Sequence, residues 1–131
     1  MTRIVADASA LAAVIFQEPG FESVAARLEG ATVCAPELLR FELANVAVTK
    51  ARKHPAQAGQ ILAALDEGLD RRSGIQWHPV NVTDVAVLGR LTNLTAYDGA
   101  YLWLAGWLEA DLVTLDKRLA AVAGLASEIV D

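Results

Sequence analysis

The amino-acid sequence predicts an α/β domain in which helices cover both faces of a short central parallel sheet. Short apolar segments alternate with longer helical segments along the chain, which is the pattern of parallel sheets with helical crossovers. The strand segments are apolar throughout, as expected where both faces of a sheet are buried. The chain has 131 residues, of which 54% are hydrophobic and 21% charged, so it can build one sizeable core. We therefore expect a single three-layer α/β/α domain over residues 1–131.

The predicted strands are short, and the first begins almost at the N-terminus. Its sequence, RIVA, is rich in residues that favour strands. The others have the same apolar character. The predicted strands cover residues 3–6, 32–35, 75–80, 112–115 and 128–130.

The predicted helices fill the intervals, and residues typical of helix ends mark several of their limits. Gly30 follows the second helix, and Gly74 ends the fourth. Pro36 and Pro55 are placed at the starts of the third and fourth helices, since proline suits the first helical turn. Thr83 is expected to cap the fifth. The predicted helices cover residues 8–17, 21–28, 36–53, 55–72, 83–94, 97–109 and 117–122.

The composition excludes several classes of protein. The formal net charge of −5 argues against a generally basic nucleic-acid-binding surface. The longest uncharged apolar runs, residues 8–16 and 99–108, are shorter than the roughly 20 residues that span a bilayer. The N-terminal MTRIVADAS lacks the apolar core of a signal peptide, and Cys34 is the only cysteine. We expect a cytoplasmic protein without disulfides.

Four acidic residues lie where the hydrophobic pattern does not explain them. Asp7 and Asp116 each follow a predicted strand. Asp98 stands at the start of an otherwise apolar helix, and Glu42 lies among apolar neighbours within another helix. Ligands of parallel α/β sheets collect outside the carboxyl ends of the strands, and right-handed crossovers would bring Asp98 to that edge. The four carboxylates are therefore expected to lie near one edge of the sheet.

Each acid also has an explanation that needs no ligand. Asp7 and Asp116 could be helix N-caps, Asp98 could interact with the helix dipole, and Glu42 could be a paired buried charge. Together, however, the four carboxylates would repel one another, and such clusters either take up protons or hold a cation. Oxygen ligands suit a hard divalent ion such as Mg²⁺ or Mn²⁺. The sequence thus predicts an acidic metal site.

Two hydroxyl groups stand close to these acids in the sequence. Ser9 follows Asp7 by two residues, and Thr114 precedes Asp116 by two. Either hydroxyl could bond a ligating carboxylate or a metal-bound water. Ser9 is equally explained as a helix-start residue and Thr114 as an ordinary strand residue.

Four segments of the chain resemble the four motifs of PIN-domain ribonucleases. They are VADASAL, PELLRFELANV, AYDGAYLWLA and LVTLDKRLA. Their order and spacing agree with the family over essentially the whole chain, and the similarity is greatest to VapC-type toxins of type II toxin–antitoxin systems. The resemblance implies a PIN-like fold and Mg²⁺-dependent cleavage of RNA phosphodiesters, with Mn²⁺ as an alternative ion. Carried onto this sequence, the family's site falls on Asp7, Ser9, Glu42, Asp98, Thr114 and Asp116.

Within that pattern the acids are given different roles. Asp7 and Asp98 are the expected nearest metal ligands. Asp116 would ligate the ion directly or through water, and Glu42 would orient the attacking water or hold a second ion. Gly99 leaves room beside Asp98 for the metal or the RNA backbone, or is simply tolerated there.

The resemblance also implies two protein partners. One is a second copy of the chain, because homodimers are common in the family. The other is a cognate antitoxin, which would lie in a groove between helices of the first third of the chain and place an arginine at the acidic pocket. Apolar residues such as Val14 and Phe21 would line that groove or belong to the core. No membrane partner is expected.

Two other functions remain open from the sequence. A metal-dependent phosphotransfer domain also uses an aspartate after its first strand, but Ala6 and Ser9 stand where such domains need further acids. A PIN-like module that binds RNA or protein without cutting it would also keep this fold. The basic residues Lys50, Arg52 and Lys53 either steer phosphates or stabilise a helix C-terminus.

Overall fold

The computed structural model describes residues 2–130, and their side chains as far as residue 123. Within this part of the chain, four strands and seven α-helices alternate. The strands are β1 (Arg3–Ala6), β2 (Thr32–Pro36), β3 (Gln76–His78) and β4 (Asp111–Val113). The helices are α1 (Ala8–Ile15), α2 (Phe21–Leu28), α3 (Leu38–Lys53), α4 (Ala58–Leu69), α5 (Val82–Thr92), α6 (Ala96–Leu108) and α7 (Lys117–Val130).

The strands form one parallel sheet in the order β3-β2-β1-β4. From β1 the chain builds outward through β2 to β3, then returns to add β4 on the other side of β1. Because parallel crossovers are right-handed in nearly all folds, α1 to α4 cover one face and α5 and α6 the other. Helix α6 packs on β1 and β2, with α5 and α7 against it. The predicted three-layer α/β/α fold with a short central parallel sheet is confirmed.

The reversal of direction at β1 creates a crevice outside the carboxyl ends of β1 and β4. Crevices of this kind are where open α/β sheets bind their ligands. The backbone N–H of Asp7, directly after β1, donates to the carbonyl of Val113, the last residue of β4, at 3.3 Å. This bond holds the two strand ends together and brings the residues that follow them to one place.

Helix α6 is the centre of the core, which explains its continuous apolar sequence. Eight consecutive residues from Gly99 to Gly106 are buried. Gly99 lies against α5: a Cβ added there would stand 3.2 Å from the backbone oxygen of Val85. The space beside Asp98 at this glycine is thus filled by a neighbouring helix, and the expectation that it admits a metal or RNA is wrong.

Several predicted element limits are also wrong. Pro36 ends β2 instead of starting α3, since a residue without N–H loses little at a strand end. Asn81 caps α5 in place of Thr83, its side chain accepting from the N–H of Asp84 at 3.0 Å. Residues 128–130 continue α7 and form no strand, because three residues carry too little pattern to separate the two states.

The fourth predicted helix is shorter and divided. Helix α4 is preceded by a 3₁₀ turn at Pro55–Gln57 and followed by another at Arg71–Ser73. Gly74, with φ of 81°, ends this segment as predicted. In the described part of the chain, no helix has the length and apolar character required to cross a membrane.

Candidate active site

Asp7 is the most completely buried acid of the site, with 5% of its surface exposed. It caps the N-terminus of α1, where its Oδ1 accepts from the N–H of Ala10 at 3.0 Å. The same oxygen accepts from the hydroxyl of Ser9 at 2.7 Å, and Oδ2 accepts from the hydroxyl of Thr114 at 2.6 Å. The N-cap explanation and the site explanation therefore describe the same side chain. Three donors fix its orientation at the end of β1.

The hydroxyls of Ser9 and Thr114 also join the loop after β4 to the start of α1. Each gives its one hydrogen to Asp7 and accepts a backbone N–H: Ser9 from Leu115 at 2.9 Å, and Thr114 from Asp116 at 3.0 Å. The two hydroxyl oxygens lie 3.2 Å apart. This network sets the position of Asp116 relative to Asp7.

Asp116 directly precedes α7 and caps its first turn. Its Oδ1 accepts from the backbone N–H groups of Arg118 at 2.9 Å and Leu119 at 3.2 Å. One carboxylate oxygen is thus used as a helix cap. Its charge still reaches Asp98, whose pKa it raises.

Asp98 lies in the first turn of α6, with its backbone N–H bonded to the side chain of the N-cap residue Thr95 at 3.2 Å. Burial raises the pKa of the Asp98 carboxyl, and the negative charges of Asp116 and Asp7 raise it further. Arg118 acts in the opposite direction and lowers this pKa. Three acids from three elements are therefore close enough to repel one another.

Glu42 reaches the cluster from α3. Burial is the main cause that raises its pKa, and the charges of Asp98 and Asp7 add to this effect. The hydroxyl of Tyr101 donates to Glu42 Oε1 at 2.5 Å and lowers the pKa of the carboxyl. Burial and the nearby carboxylates raise the pKa of Tyr101 itself, so this phenol stays a hydrogen-bond donor.

Replacing Tyr101 by phenylalanine tests that contact. Tyr101→Phe should lower the free energy of unfolding by about 1–2 kcal/mol, because Glu42 loses a donor inside a half-buried site. The pKa of Glu42 should also rise. Urea denaturation measures the first effect, with Tyr97→Phe as control because Tyr97 is 66% exposed. Equal stability of the two variants would contradict a stabilising role for the Tyr101–Glu42 bond.

The donor chemistry of the site fits a hard divalent cation. Its candidate ligands are carboxylates, and the repulsion that raises the pKa of Glu42 and Asp98 is what a cation would relieve. Over the residues described, no three His, Cys, Asp or Glu side chains are already grouped as a metal-binding set. Asp7 would already be held in place for an ion by its three hydrogen-bond donors.

The structure places the other sequence-predicted residues as follows. Lys50 forms an ion pair with Glu18 at 2.7 Å and lies over the ring of Phe16. These contacts do not involve the four candidate site acids. The basic group that the sequence analysis missed is Arg118, whose charge does reach Asp98. Tyr101 was not among the site residues predicted from the sequence. Its position three residues after Asp98, on the same side of a helix, was the available signal for its contact with the site.

Comparison with known proteins identifies the family of the chain. A family model described as the PIN domain matches residues 4–125, and the chain belongs to the PIN domain family. PIN domains are generally metal-dependent nucleases. The match confirms the resemblance in the four motifs at the level of the family.

A solved structure shows the same fold. The crystal structure of PAE2754 from Pyrobaculum aerophilum matches with a TM-score of 0.73 and 22% sequence identity, over 98% of this chain and 96% of that one. At this identity the likeness shows the fold alone. The comparison with curated proteins gave no match.

Proposed function

We propose that this PIN-domain protein is a Mg²⁺-dependent endoribonuclease that acts in the cytoplasm as the toxin of a toxin–antitoxin pair. The observation that supports the chemistry is the electrostatic interaction among four acids, two of which follow β1 and β4 while the others lie on α3 and α6. The charges of Asp7 and Asp116 raise the pKa of Asp98, and the charges of Asp7 and Asp98 raise the pKa of Glu42. The mutual repulsion of these charges is unfavourable to the fold, and a bound cation would relieve it.

The four acids would have different roles, according to their surroundings. Asp7 and Asp98 would be the nearest ligands of the ion, and Asp116 would join them directly or through water. The bound ion would polarise the phosphoryl oxygen and lower the pKa of a water molecule. Glu42 would orient that water as its oxygen attacks phosphorus, or hold a second ion. The phosphorus–oxygen bond to the leaving sugar oxygen would then break, with the attacking water releasing a proton to solvent and the sugar oxygen taking one up from solvent.

The direct test is RNA cleavage by the purified protein. It should cut RNA in the presence of Mg²⁺ or Mn²⁺ and stop when a chelator is added. RNA retained intact in Mn²⁺ would instead favour a PIN-like module that binds without cutting. Labelling by a small phosphodonor would favour the phosphotransfer alternative. Mapping cleavage sites in cells after brief expression would identify the RNA target.

The surface of this protein between α1 and α2 is suited to binding an antitoxin. A shallow cleft of about 670 Å³ is lined by Val14, Phe21, Ala25, Ala26 and Leu28, with Glu22 and Glu29 at its border. An amphipathic helix with basic flanks fits such a groove. Neighbouring residues such as Leu11 and Val24 are buried and belong to the core. The supporting observation would be a neighbouring reading frame for a small protein with a DNA-binding N-terminus and an arginine-bearing tail.

A homodimer is proposed through the exposed apolar side chains of α5 and α6. Trp107 is 66% exposed although it stacks on Trp103, with ring centroids 5.3 Å apart. Val87 and Leu91, one turn apart on α5, are 51% and 63% exposed. Covering these side chains with a second copy of the chain would remove apolar surface from water.

Trp107→Glu is expected to convert the dimer to a monomer, because it places a charge within this apolar surface. Sedimentation velocity measures the change. Leu62→Glu on α4, at a side chain 52% exposed, is the matched control and should leave the dimer intact. A dimer that survives the Trp107 change would place the interface elsewhere.

A further inference from the structure

Arg118 bridges two elements at the rim of the acidic crevice. Arg118 lies in the first turn of α7, two residues after Asp116. The backbone N–H of Arg118 donates a hydrogen bond to the side chain of Asp116. Its guanidinium Nη2 donates to the backbone oxygen of Asn93 at 2.9 Å. Asn93 ends α5 in a left-handed conformation, with φ of 59°, two residues before the cap of α6. The side chain therefore spans from the start of α7 to the turn that precedes Asp98.

The anchored guanidinium brings positive charge to a site that is otherwise acidic. Its charge lowers the pKa of Asp98, which places the guanidinium close to that carboxylate. Arg118 is nevertheless exposed, and the bond to Asn93 uses one of its five N–H donors. The remaining donors of a planar guanidinium suit bidentate contact with a phosphate.

We infer that Arg118 is a phosphate-binding residue of this protein, which holds a backbone phosphate of the substrate strand at the rim between Asp98 and Asp116. The inference rests on the proposed ribonuclease function. Four carboxylates repel a polyanion, and a cationic side chain of fixed position beside them offsets part of that repulsion. The carbonyl of Asn93 supplies that fixed position, because it restrains a side chain that would otherwise lose much rotamer freedom on binding.

Lys117 provides the matched control for this inference. It precedes Arg118 by one residue, is also exposed, and carries the same charge. Removing either charge changes the net charge of the protein equally. A general electrostatic attraction would therefore respond equally to Lys117→Gln and Arg118→Gln, whereas a specific phosphate contact would respond to the second alone.

The test measures binding of a short fluorescein-labelled single-stranded RNA of mixed sequence in Mg²⁺, over a series of KCl concentrations. It uses the Asp7→Asn protein so that no cleavage occurs. Arg118→Gln should weaken binding about tenfold, as for a lost charge-assisted bond. It should also reduce the slope of log K against log salt by about 0.7, the value for one phosphate of a single strand. Arg118→Lys should restore the slope and only part of the affinity.

The outcomes separate this inference from the proposed function. In otherwise wild-type protein, Arg118→Gln should raise KM for RNA more than it lowers kcat. If the wild type cleaves RNA and Arg118→Gln matches Lys117→Gln in slope, affinity and KM, the phosphate-binding role is overturned and the nuclease remains. If the wild type neither cleaves nor binds RNA, both proposals fail.

Discussion

The Asp98→Asn variant is expected to lose nuclease activity while gaining stability. Losing a group that hydrogen-bonds a metal ligand typically costs roughly 10–100-fold in activity, so removing the charge of a ligand should lower kcat by more than about 100-fold. Stability should change in the opposite direction. Burial and the charges of Asp116 and Asp7 raise the pKa of Asp98, so its ionised form is unfavourable in the fold at neutral pH. An amide removes that charge at nearly constant shape.

Two measurements on the same preparation check this prediction. RNA cleavage in Mg²⁺ should fall, and the midpoint of thermal unfolding in chelator should rise. Asp66→Asn on α4 is the control, because that exposed carboxylate lies outside the cluster and should leave both quantities unchanged. Cleavage by Asp98→Asn at the wild-type rate would remove Asp98 from the site.

Asp7→Asn should inactivate the protein equally but without the gain in stability. Asp7 accepts three hydrogen bonds, two through Oδ1 and one through Oδ2, and an amide with its oxygen at the Oδ1 position keeps the first two and loses the third. The nitrogen would face the hydroxyl of Thr114, which must then reverse its bond. The contrast between the two variants therefore distinguishes an acid fixed by its donors from one destabilised by its neighbours.

The sequence predicted the fold well because its strands are uniformly apolar and its helices are long. The parallel sheet follows from that alternation. The errors lie at element ends, where single residues decide: Pro36, Asn81 instead of Thr83, and residues 128–130. A proline suits a strand end as well as a helix start, so its presence alone does not separate the two.

The candidate site was predictable in its acids but not in the contacts that hold them. Positions after strands place Asp7 and Asp116 at one edge through backbone geometry alone. The bond between Tyr101 and Glu42 joins residues far apart in sequence on different helices, and no local spacing encodes it. Arg118 shows the same limit, because its anchor is a backbone oxygen and any residue could supply one.

The stability of the protein is expected to depend on pH with opposite signs in the absence and presence of metal. Without metal, Glu42 and Asp98 have pKa values raised above their ordinary 4.5 and 3.8. Between the ordinary and raised values the folded state binds more protons than the unfolded state, so stability falls as the pH rises through this window. A divalent ion binds the ionised carboxylates, so its stabilising effect grows over the same window.

Thermal unfolding with Mg²⁺, with Mn²⁺ and with chelator, repeated across this pH range, measures both effects. An ion at 100 times its Kd should stabilise the wild type by about 2.7 kcal/mol near neutral pH. Asp98→Asn should lose most of the metal effect and flatten the dependence seen in chelator, since it removes one of the two titrating groups and weakens the other's repulsion. Asp66→Asn should behave as the wild type does. Equal metal stabilisation of Asp98→Asn and wild type would mean that the ion binds outside this cluster.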